Sequence, residues 1–147
     1  MDDERRLAAA LLALRASVVV VLLAWTLDKL ARPGHAAGVY AHFYLLRGWG
    51  PVAMRAAGGA ELLLLAAFGV GYRRRLSYGA VLALHAVSTL SSWRQYLAPF
   101  QGADLLFFAA WPMLAACWVL YLLREHDVWL SVDGDTRGET AAAKWTV

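Results

Sequence analysis

Cysteine is nearly absent: Cys117 is the only one among 147 residues. No intramolecular disulfide can form and no CxxC motif exists, which argues against thiol–disulfide chemistry carried by this chain alone. Cys117 sits in an apolar run and reads as a buried structural thiol. The metal-binding spacings HxxH and HExxH are missing, as is any glycine-rich phosphate loop. Charged residues make up only 17%. The formal net charge is +3, and the basic residues are scattered between apolar blocks instead of forming a stripe. That excludes an electrostatic nucleic-acid surface.

Apolar residues are abundant instead, at 61%, against roughly 45–50% in soluble domains. They form long blocks. A helix needs about 20 mainly apolar residues to cross a bilayer core. Residues 11–30, 52–72, 76–97 and 103–123 meet this length. The spans must be helical because lipid satisfies no open backbone group. Pro51 suits a helix start, Pro99 ends the third block and Pro112 predicts a kink in the fourth. The first block runs past the usual 7–15 residues of a signal-peptide core and ends in Asp28-Lys29, so it reads as a retained helix.

The expected fold class is all-α: a polytopic membrane protein with a four-transmembrane-helix bundle. Residues 1–124 form the membrane domain and residues 125–147 a mobile, polar cytoplasmic tail with a turn at Asp133-Gly134-Asp135. Lys and Arg placement sets the orientation. An N-in/C-in topology places nine basic residues inside (Arg5, Arg6, Arg15, Arg73, Arg74, Arg75, Arg124, Arg137, Lys144) and five outside (Lys29, Arg32, Arg47, Arg55, Arg94). The Arg73-Arg74-Arg75 turn is the strongest marker and reads as a solvated headgroup anchor. Between the first two spans, Val39, Tyr40, Phe43, Tyr44 and Leu46 predict a short helix over the bundle mouth.

Ionisable groups within membrane spans are the informative residues, because each costs at least a few kcal/mol (roughly 2.5–3.5 on insertion scales). With helices 1 and 3 running outward and 2 and 4 inward, the polar residues Asp28, Lys29, Glu61, Ser88, Thr89, Ser92, Arg94 and Asp104 are expected to converge in the outer half. His85 lies nearer the midplane and shares a face with Ser88, Thr89 and Ser92 at i, i+3, i+4 and i+7. This polar intramembrane cluster is the candidate site. Snorkelling, helix capping and interhelical hydrogen bonding are the structural alternatives for its members. No catalytic or metal-ligating set is assigned.

Residues Trp25-Thr26-Leu27-Asp28-Lys29-Leu30 followed by Pro33, Gly59-Ala60-Glu61-Leu62, and a short basic turn before the third span carry a family resemblance. Over residues 15–124 the chain resembles the DoxX-like family of small four-helix bacterial membrane proteins. The resemblance implies an inner-membrane accessory or anchor subunit of a redox-linked complex. It would have no catalytic activity of its own, a membrane oxidoreductase as partner, and a quinone or lipid near the outer polar cluster. A small proton-coupled transporter acting as a homo-oligomer is the alternative.

Overall fold

The computed structural model describes residues 2–133. Six α-helices account for most of them: α1 (Asp3–Ala31), α2 (Pro33–Phe43), α3 (Pro51–Gly69), α4 (Arg74–Ser91), α5 (Trp93–Leu97) and α6 (Ala110–Leu122), with a 3-10 segment (Asp104–Ala109) before α6. No strand occurs among the described residues. Among the described residues three stretches are long and apolar enough to cross a membrane: Asp3–Ala31, Pro51–Gly69 and Asp104–Leu122. These mark a membrane protein. α4 falls short on composition.

α1, α3, α4 and α6 close into a ring in which α1 touches α3, α3 touches α4, α4 touches α6 and α6 returns to α1. Successive members run antiparallel. A core of Leu11, Val18, Leu22, Leu65, Phe68, Tyr78, Val81, Cys117 and Leu120 lies between them. Phe68 and Tyr78 meet edge to face, with ring centroids 4.7 Å apart, which favours the quadrupoles of both rings.

The outside of the ring is apolar and much of its inside is polar. Val20, Leu63, Val87, Leu90, Leu106 and Trp118 are exposed, while Arg15, Thr26, Glu61, Arg74, His85 and Thr89 are buried. α4 shows the inversion most clearly. Arg74, Ser77, Tyr78, His85 and Thr89 face in, and Leu76, Val87 and Leu90 face out. Water-soluble helices do the reverse.

Several sequence expectations need correcting. The third block is not one helix over 76–97: α4 stops at Ser91 and α5 restarts at Trp93, with Ser92 between them. The second block ends at Gly69 instead of residue 72. Gly71 then holds φ +62°, a conformation that favours glycine. An added Cβ there would also sit 2.3 Å from Ser131 Oγ. Pro112 does not kink a continuous helix. The chain is 3-10 up to Ala109, and Pro112 falls in the first turn of α6, where a missing N–H is cheapest. Pro33 opens α2 directly after Arg32, with no loop between α1 and α2.

The largest correction concerns residues 124–133, here called the strap. The first part of the expected mobile tail packs across one end of the bundle. Val132 and Asp133 donate backbone N–H bonds to the carbonyls of Val70 and Gly71, at 2.9 and 3.4 Å. Ser131 Oγ donates to the Gly71 carbonyl at 3.2 Å. Gly134 and Asp135 of the expected turn, and the rest of the tail, lie outside the described residues.

Candidate functional site

Lys29 ends α1 on the ring side, and Glu61 is ten residues into α3 facing it. Lys29 Nζ donates to Glu61 Oε2 at 2.5 Å. Both side chains are buried. The approach of the helices depends on Gly58: a Cβ added there would lie 2.9 Å from Leu30 Cδ2 and 3.1 Å from Lys29 Cβ. α2 lies over this pair. The Tyr40 ring stands 5.7 Å from Lys29 Nζ, within cation–π reach. Tyr40 touches Tyr44 and stacks on Trp49. Burial raises the Tyr40 hydroxyl above its ordinary pKa; Lys29 pulls it down, while Glu61 and Tyr44 add to the rise. Tyr44 in turn donates its hydroxyl to Ser88 Oγ at 2.9 Å, tying α2 to α4. Lys29, Glu61, Tyr40, Tyr44 and Ser88 thus form one roofed polar site.

The remaining residues of the expected cluster are placed differently. Asp28 turns from Glu61 to Arg32, with 2.5 Å between Oδ1 and Nη2, and to His35 Nδ1 at 2.7 Å. This second group fixes the corner between α1 and α2. His85 Nε2 contacts the Ala110 carbonyl at 3.1 Å, so that nitrogen carries the proton and joins α4 to α6. Thr89 donates back to the His85 carbonyl at 2.8 Å and Ser92 to the Ser88 carbonyl at 3.4 Å. Both bonds stay within their own segment. Tyr96 donates to the Thr89 carbonyl at 3.0 Å, which fastens α5 where α4 ends. Arg94 lies over the Trp93 ring at 5.3 Å and lines a shallow hollow with His42 and Phe43. Asp104 opens the 3-10 segment and is half-buried. Among the described residues no group of three His, Cys, Asp or Glu side chains is placed to hold a metal ion.

A second polar site lies at the opposite end of the ring. Arg15, on α1, is 1% exposed and is not a solvent-facing charge. It donates to the Tyr78 hydroxyl at 3.1 Å and to the carbonyls of Trp129 and Leu130. Its Nη1 lies 3.5 Å from Asp127 Oδ2. The Tyr78 hydroxyl donates to the same carboxylate oxygen at 2.6 Å. Asp127 is fully buried. Arg74 is also buried, which corrects its reading as a headgroup anchor; Arg73 and Arg75 remain exposed. Its guanidinium donates to the carbonyls of Arg124 and Asp127 at 2.8 and 2.9 Å, and its backbone N–H to Asp133 at 3.0 Å.

Sequence reasoning missed this site. The pairing joins residues 15 and 127: in sequence Arg15 reads as one of the inner-side basic residues and Asp127 as part of the polar tail. The available signal was Val128-Trp129-Leu130 with Val132, an apolar run inside an otherwise polar tail. A scan against protein-family models and searches of curated proteins and solved structures returned no match to this chain.

Proposed function

We propose that this chain is an integral accessory or anchor subunit of a redox-linked complex in the inner (cytoplasmic) membrane. In this reading it crosses the bilayer four times, N-in/C-in, and the roofed Lys29–Glu61 site contacts a quinone or a lipid headgroup. The redox assignment and the membrane rest on the DoxX-like resemblance alone. The platform role rests on one observation: the buried charges are occupied with each other. Lys29 neutralises Glu61, and Arg15 and Arg74 hold the strap. A scaffold needs such pairing, because an unpaired charge in lipid is expensive. The inverted polarity of α4 supports the fourth crossing.

Mass spectrometry of the protein in mild detergent, taken from its own membrane, tests the role. A stoichiometric oxidoreductase or a retained quinone is the expected result. A ligand-free homo-oligomer contradicts it and favours the alternative, a proton-coupled transporter. In that case Asp28, Glu61 and His85 would be the proton-exchanging or substrate-contacting groups. Flux in proteoliposomes would then fall in Glu61→Gln and His85→Ala.

A further inference from the structure

From Asp127 to Val132 the strap turns its polar groups inward, whereas Glu125 and His126 before them are exposed. The Asp127 side chain, the Trp129 and Leu130 carbonyls and the Ser131 hydroxyl all bond to Arg15, Tyr78 or Gly71. Its apolar side chains remain outside: Val128 is 45% exposed, Trp129 40%, Leu130 79% and Val132 51%. A loop in water has the opposite arrangement. Leu130 also holds φ +49°, a region a non-glycine residue occupies only where its surroundings fix it. Its carbonyl is bound by Arg15 while its side chain has no cover. The strap begins two residues after α6 ends at Leu122, and the exposed Trp118 and Leu122 lie on that helix. A lipid-facing surface and the strap's outer surface are therefore consecutive in the chain.

We propose that residues 128–132 lie in the headgroup–acyl boundary of the bilayer, with Val128, Trp129, Leu130 and Val132 inserted among lipid. Tryptophan is enriched at this depth, and an element with one apolar face lies there without spanning. The strap then seals Arg15 and Arg74 from lipid on one side while anchoring itself in lipid on the other. This inference rests on the reading that α1 and α6 span the membrane, and the experiment separates the two.

Single cysteines are introduced at Leu130, Val132, Val20 and Glu4 in a Cys117→Ala background. They are labelled with an environment-sensitive fluorophore, and the full chain is reconstituted in phosphatidylcholine vesicles. Quenching is read with spin-labelled phosphatidylcholine and with iodide on both sides. Val20, exposed in the middle of α1, reports on the span, and Glu4 on water. Labels at 130 and 132 are expected to follow Val20: quenched from lipid and sheltered from iodide. Quenching by iodide at the Glu4 level overturns the proposal. Shelter from both quenchers also overturns it, since protein then covers the strap. Loss of lipid quenching at Val20 itself instead refutes the spanning reading beneath it.

Discussion

Arg15 and Lys29 set the electrostatic problem. Fourteen residues of α-helix separate them, about 21 Å at 1.5 Å per residue, while the hydrocarbon core is about 30 Å thick. With α1 spanning, as proposed, at least one of the two cations falls inside hydrocarbon; each has a buried acid, Asp127 for Arg15 and Glu61 for Lys29. Removing one partner strands the other. Asp127→Ala is expected to destabilise the protein by about 3–5 kcal/mol. Arg15→Met combined with Asp127→Leu should recover most of that loss, because an apolar pair of similar volume is often neutral. Thermal unfolding in detergent checks both. Gly58 and Gly59 offer a second contrast. Gly58→Ala pushes a methyl into Leu30 and Lys29 and is expected to lose about 1–3 kcal/mol. Gly59→Ala meets nothing within 4 Å and should be neutral or stabilising by up to about 1 kcal/mol through helix propensity. The same unfolding assay separates them.

The four apolar blocks were legible at the level of elements because long hydrophobic runs have few structural solutions. Their ends were less so. The break at Ser92 and the 3-10 entry to α6 depend on local geometry that periodicity does not encode. α4 was legible as a block yet is the least apolar of the four, since its inner face carries the arginine, tyrosine and histidine that tie the ring together. Its outer face carries the membrane argument. Ala83→Lys, at an exposed mid-helix position, should reduce insertion of α4 by roughly 2.5–3.5 kcal/mol. An exposed site on a helix outside the bilayer would tolerate the change. A translocon-insertion assay on the 74–91 segment reads the difference. The strap was illegible for another reason: its contact with Arg15 spans most of the chain, and its polar groups resemble those of a solvated tail until their partners are known.

Across the whole molecule, orientation draws on charge. Arg15, Arg74 and Lys29 are buried and paired, so they anchor no headgroup. Setting them aside leaves seven basic residues on the expected inner side and four on the outer, from nine and five. The bias keeps its sign. The candidate site was half legible at this scale. Direction of travel placed Lys29, Glu61 and Ser88 at one end, and the structure joins them through Tyr40 and Tyr44 of α2. It could not show that Asp28 turns to His35 and Arg32, or that His85 bonds to Ala110. The proposal of four crossings counts α4, which is not among the three stretches of the described residues that qualify by length and composition. Reporter fusions test it most directly: alkaline phosphatase and a fluorescent protein, each joined after Gly50, after Arg73 and at the C-terminus. Four crossings predict phosphatase activity after Gly50 only, with fluorescence after Arg73 and at the C-terminus. An active phosphatase at the C-terminus, with fluorescence after Arg73, would mean an odd number of crossings and overturn the four-crossing topology.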